Sequence, residues 1–284
     1  MNRLKQNRAA SFASVALIYI FASALGILVY QRLPFAWWLS LLVADTVATL
    51  FTFLFSVLLR NASVYDPYWS VQPPVIVTAF AFGRSLSAFG ALLLLAVWFW
   101  GLRLTLNWAY TFKNLCHQDW RYTMLKEKTG VFYPLINLVG IHMVPTLVVY
   151  GCILPAVHAL RQGLEADGLG FVFLLVSLSA ATLQGVADFQ MHRFRRHPCG
   201  NFIRCGLWKY SRHPNYLGEI LMWWGVALAV ISEDPSAWYF VAGAVANTLL
   251  FFAVSIPMAD KRQSRKEGFA DYKKETRMLL PLKR

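Results

Sequence analysis

The chain has 284 residues, of which 57% are hydrophobic, 15% aromatic and only 14% charged. Soluble domains carry roughly 25% charged residues, so a soluble fold would lack the polar surface to cover the apolar runs, and runs that are continuous rather than alternating exclude a membrane barrel. The net charge of +13, from 27 Lys plus Arg against 14 Asp plus Glu, lies in loops and tail where positive-inside bias puts it, and no nucleic-acid motif accompanies it.

The mean hydropathy is +0.46, and several runs reach the ~20 residues that span a bilayer as a helix. The reading is an all-α polytopic membrane protein, a single integral membrane domain over residues 1–284. After a short basic stretch, Met1 to Arg8, the first span runs from about Ser11 to Gln31; its apolar core, Ala10 to about Tyr30, is long enough to remain as a span. Pro34 breaks the chain, and a second span covers about Ala36 to Leu59. Asn61 to Pro74 reads as irregular, because Pro67, Pro73 and Pro74 each discourage helix just before themselves. It concentrates Tyr65, Asp66, Tyr68 and Trp69. Aromatics there fit an interfacial belt, whereas a carboxylate near the bilayer points to a partner or a task.

The stretch Val75 to Tyr110 is too long for one upright span and short for two, so seven spans are expected, with eight as the alternative. Arg103 and Asn107 share a helical face near its end. A polar loop follows, Lys113 to Gly130, and then a run from about Val131 to Leu160 interrupted by Pro134, Pro145 and Pro155. Glu165 and Asp167 make an acidic loop expected to face away from the cytoplasm. Another span starts near Leu169, and two more cover about Tyr216–Ser232 and Ala237–Met258. The basic tail from Lys261 to Arg284 is expected in the cytoplasm. With the tail inside, seven spans put the N-terminus outside, against the charge of Arg3, Lys5 and Arg8.

The stretch Gln184 to Glu219 organises the rest. It holds Arg193, Arg195, Arg196, Arg204, Lys209 and Arg212, with no acid between Asp188 and Glu219. Such a segment fixes topology and can also grip a polyanion. Gln184, Asp188, His192 and Arg195 are spaced four, four and three apart, on one helical face. An internal pair of Asp188 with His192 or Arg195 is the bland explanation; a polar wall for an amide or ribose, with arginines beyond for phosphate, is the functional one. Pro214 suits the first turn of a new helix, which puts Asn215 and Glu219 on one face and Arg212 and His213 at its positive end, where phosphates bind. Two polar faces thus enter the membrane from one basic surface and between them suit a dinucleotide. Cys199 and Cys205, near His197 and His213, lack the spacing of a structural zinc site, so no metal is expected.

The pattern Asp188…Arg195…Arg212-His-Pro-Asn-Tyr-Leu-Gly-Glu219, with Asp271-Tyr272…Leu280-Pro281 in the tail, resembles the C-terminal half of the steroid 5α-reductase family, most of all its bacterial membrane branch (the DUF1295 group). The likeness covers about Leu183–Pro281. It implies a seven-span bundle, NADPH as hydride donor, and a lipophilic 3-oxo-Δ4 steroid as substrate, in a bacterial inner membrane and as a monomer. It implies that the C-terminal part, residues 183–284, holds NADPH through Gln184, Asp188, His192, Arg195, Arg212, His213, Asn215, Tyr216 and Glu219, with Lys261 and Arg265 adding phosphate contacts, and that the N-terminal half binds substrate. The family grips the substrate ketone with a Gln-Glu pair and a Tyr. No Gln-Glu dipeptide occurs in this sequence, and Asp66 with Tyr65 or Tyr68 is the expected replacement, Tyr110 being a further phenol. A methyltransferase using S-adenosylmethionine shares the motif RHPxYxG but has no pyrophosphate to require so many arginines. A transporter would line a mid-membrane path with ionisable groups, whereas these cluster at one face.

Overall fold

The structure is a computed structural model that describes residues 5–281, all of them in helices and connecting turns apart from one isolated bridge between Ser211 and Arg277. Residues 1–4 and 282–284, which include Arg3 and the end of the basic tail, lie outside the described residues. Among the described residues, seven helical runs are long and apolar enough to cross a membrane, so the chain is a polytopic integral membrane protein.

Helix α1 is Arg8–Arg32 and α2 Trp37–Leu58. The segment read as irregular is helical over most of its length. A 3-10 turn at Ala62–Val64 leads into α3, Tyr68–Ala81, with Pro73 and Pro74 inside it. Pro67 sets the start of this helix rather than breaking it, and α3 carries the loss of two backbone donors at its centre. At 14 residues α3 is about 21 Å long, short of the ~30 Å hydrocarbon core, and so adds no eighth span. Gly83, at φ +72°, closes the turn before α4, Ala88–Thr111. The expected polar loop contains α5, Trp120–Thr129, capped by Asp119 accepting from the Arg121 N–H.

The run beyond it is not interrupted by its prolines. Tyr133–Ile136 takes Pro134 in its first turn, a π-helix follows at Asn137–Met143, and α6, Val144–Gln162, holds Pro155 inside. A second π-helix, Phe251–Ser255, lies between α9 (Val241–Leu250) and α10 (Ile256–Gln263). Each π segment ends two residues before a proline, Pro145 and Pro257. A proline has no N–H for the i−4 carbonyl and its ring pushes that carbonyl away; a widened turn absorbs both defects. Helix α7 is Gly168–Arg196, capped by Asp167, and α8 is Pro214–Glu233 with Pro214 in its first turn, as expected. A 3-10 turn, Pro235–Phe240, precedes α9, and α11, Phe269–Glu275, ends the described tail.

The chain forms two compact units. One comprises residues 1–79 and 104–150, the other 80–103 and 151–284. In the first, α1 and α2 meet through small residues: a Cβ on Gly26 would touch Ala48 at 3.5 Å. In the second, α7 and α8 pack backbone to side chain. A Cβ on Gly218 would lie 2.6 Å from the Ala180 carbonyl oxygen, and one on Gly225 would lie 2.8 Å from that of Phe173. Association between membrane helices relies on such close packing rather than on a hydrophobic drive.

Gly243 makes the closest such contact. A Cβ there would fall 2.2 Å from the Gly151 carbonyl group, which is backbone and cannot turn away. Gly243→Ala is expected to destabilise the protein by about 1–3 kcal/mol or more, whereas Gly168→Ala, with open space around it, is expected to be neutral. Thermal unfolding in detergent, followed by circular dichroism, compares the two.

Candidate active site

In the second unit the two polar faces meet, because Gly218 lets α8 come within reach of Gln184. Glu219 is buried, and three donors surround it. Its Oε2 accepts from Trp100 Nε1 at 2.8 Å and from Gln184 Nε2 at 2.5 Å, and its Oε1 accepts from Trp223 Nε1 at 2.9 Å. Gln184 Oε1 accepts from Arg103 Nη2 at 2.9 Å, and Arg103 Nη1 forms an ion pair with Asp188 at 2.9 Å. Asn215 Nδ2 donates weakly to the other Asp188 oxygen at 3.4 Å. The partner of Asp188 is therefore Arg103 of α4 rather than Arg195 of its own helix, and His192 bears on it only electrostatically. Arg103 Nε is buried and makes no hydrogen bond among the described residues.

Arg212 and His213 are both buried and serve the tail. Arg212 Nη1 donates to the Thr276 carbonyl at 2.7 Å and to that of Lys273 at 3.3 Å, while Nη2 reaches Asp260 at 3.2 Å. His213 Nε2 is 2.9 Å from the other Asp260 oxygen, and its ring stacks on Tyr216 at 5.2 Å. One donor is left over: Arg212 Nε is buried with no partner among the described residues. His192 is half-buried, and Arg195, Lys261 and Arg265 are exposed. The Lys266 ammonium is held below its usual range by partial burial and then by Arg262 and Arg195, so these three cations converge on the basic face. Their repulsion would be relieved by a polyanion.

The first unit holds a second polar cluster. Tyr65 and Tyr68 are buried with stacked rings at 5.3 Å. They do not share Asp66. The Tyr65 hydroxyl pairs with Thr146 at 2.7 Å, and the Tyr68 hydroxyl donates to Asp45 at 3.2 Å. Asp66 instead accepts from the Tyr122 hydroxyl at 2.6 Å. Burial pushes the Asp66 carboxyl up to about 6, against the pull of Arg121 and the Tyr122 bond. Burial also raises both phenols, Tyr65 and Tyr68, well above their usual range, so both stay protonated at neutral pH.

Asp45, Trp100, Trp223 and Asp260 were not singled out from the sequence, and Arg103 was placed on one helical face with Asn107 but given no role. A signal existed for Asp45, the one charged residue of α2; an ionisable group at such a position marks a site by default. The tryptophans carry no such mark, since indole donors look like core residues.

A helical membrane protein with an acid–amide cluster beneath a cationic face is the class that fold and site define. The chain matches the family described as Protein of unknown function (DUF1295) over residues 52–276. It belongs to that family. No curated protein and no solved structure matches it.

Two outcomes are expected. Arg103→Met strands the Asp188 carboxylate and costs about 3–5 kcal/mol, and adding Asp188→Asn recovers part of it, which a double-mutant cycle of unfolding in detergent reads as coupling. The raised Asp66 carboxyl stabilises the fold while protonated, and that contribution is lost as pH rises from about 4, the unfolded value, through about 6. Asp66→Asn is expected to flatten the loss, seen as a Tm that no longer falls over that pH window.

Proposed function

We propose that the protein is an NADPH-dependent reductase of a lipophilic enone, the C4=C5 double bond of a 3-oxo-Δ4 steroid or a molecule of similar shape. The observation that carries this reading is the meeting of Gln184 and Glu219 under a cationic face, which suits a dinucleotide with its phosphates at the water edge. The residues fit that cofactor in two ways. Arg103 Nε and Arg212 Nε are buried donors with capacity to spare, and Arg195, Lys261 and Arg265 are exposed cations for phosphate. Gln184, Asp188, His192, Asn215, Tyr216 and Glu219 would hold the amide and ribose groups, with His213 and Arg212 fixing the start of α8 beneath them. When bound, NADPH supplies a hydride to the β carbon of the enone. In this reading the basic surface faces the cytoplasm from a bacterial inner membrane, as an excess of Lys and Arg favours.

Negative charge then develops on the ketone oxygen, and a positioned donor stabilises it. Tyr68 takes that role. Its hydroxyl donates to Asp45 at 3.2 Å; once Asp45 is protonated the bond reverses, and the phenolic proton turns to the ketone. Tyr65, stacked on Tyr68, keeps the ring in place. Asp66 with Tyr122 is a second acid–phenol pair, closer to the loop. The apolar surroundings keep water from competing.

The test is oxidation of NADPH by detergent-purified protein with and without a 3-oxo-Δ4 steroid. Tyr68→Phe is expected to lower kcat by roughly 100-fold or more with cofactor affinity unchanged, and Arg195→Ala to weaken cofactor binding with kcat retained at saturation. Failure of every enone to promote NADPH oxidation overturns the reading.

A further inference from the structure

Along α2, Asp45, Thr49, Thr52 and Ser56 are spaced four, three and four residues apart and are all buried. This places a polar stripe down one face of a membrane helix. Two of its members join a hydroxyl chain. Thr49 Oγ1 is 3.0 Å from Thr146 Oγ1, which is 2.7 Å from the Tyr65 hydroxyl. Thr49 also bears on the Tyr68 hydroxyl, and Tyr68 donates to Asp45. At the other end, the Tyr19 hydroxyl bonds the Val64 carbonyl at 2.6 Å and lies within electrostatic reach of Asp66, Tyr65, Tyr68 and Tyr122. Asp66 itself is partly exposed.

Hydroxyls that only tied helices together would leave the adjoining acid satisfied. Asp45 is not. Its Oδ2 is buried with no hydrogen-bond partner of good geometry among the described residues, although the Gln72 side chain lies near enough to bear on the carboxyl. A buried carboxyl with an open oxygen is costly unless it has a task.

We propose that these groups form a proton relay, from Tyr65 through Thr146, Thr49 and Tyr68 to Asp45. A hydroxyl accepts one proton as it donates another, so the chain passes a proton inward without any group keeping a charge. No electrons move along it. The relay rests on the reductase reading for its use: reduction of an enone consumes one proton from water for each hydride, and that proton must cross apolar surroundings. The path itself does not depend on that reading.

Infrared spectroscopy of the purified protein, without cofactor or substrate, tests the path. The protonated Asp45 carboxyl is identified as the band lost in Asp45→Asn, and its shift is timed after transfer into D2O. Thr146→Val and Thr49→Val are expected to slow that exchange roughly tenfold or more, since positioned proton transfer is worth ~100-fold or more. Thr146→Ser restores it. Thr52→Val, whose hydroxyl bonds only the Ala48 carbonyl within its own helix, leaves it unchanged and controls for packing. Equal rates in Thr146→Val and wild type, slowing by Thr52→Val as large as by Thr146→Val, or no Asp45-dependent band at neutral pH, would each overturn the relay. If exchange behaves as expected while no enone promotes NADPH oxidation, the relay stands and the reductase reading falls; the reverse pair of results removes the relay alone.

Discussion

A carboxylate can leave water only if other donors replace its hydration. Glu219 has those donors in Trp100, Gln184 and Trp223, and the second unit is arranged around supplying them. Trp100 brings α4 to the acid, Gln184 brings α7, and Trp223 stands one turn further along α8. Gly218 is what makes the Gln184 contact possible, because any side chain there would collide with the Ala180 carbonyl. The same amide passes the connection on to Arg103 and thence to Asp188. Removing the acid would take the shared acceptor from two indoles and an amide, so the cluster depends on it as a whole.

The chemistry divides between the units. The second carries fixed cations and saturated acid–amide pairs, the chemistry of holding a charged ligand. The first carries phenols, hydroxyls and a carboxyl with an unfilled oxygen, the chemistry of moving a proton. The π-helix at Asn137–Met143 sets His142, fully buried, against the Tyr65 ring at 4.5 Å.

The membrane class, the helix start at Pro214 and the facing of Gln184 and Glu219 were legible in the sequence, since hydropathy, proline chemistry and a period of 3.6 act locally, while the choice between seven and eight spans was not. The helical state of Tyr68–Ala81 was not. Pro73 and Pro74 argue for irregular chain, and tertiary packing overrides them. The role of Arg212 also escaped local reasoning. Beside a helix N-terminus it reads as a phosphate ligand, yet its guanidinium is turned to carbonyls of Lys273 and Thr276, far along the chain. Asp45 carries a local mark, as the one charge of α2, but its pairing with Tyr68 does not, because nothing in the spacing of residues 45 and 68 ties them together.

That long reach of Arg212 bears on biosynthesis. Arg212 and Thr276 are 64 positions apart, with α8 and the Pro235–Gln263 run inserted between them. The ribosome therefore delivers the guanidinium well before the carbonyls it caps, and Asp260 only part-way through. During that interval the opening turn of α8 lacks the acceptors that its buried guanidinium has in the finished fold.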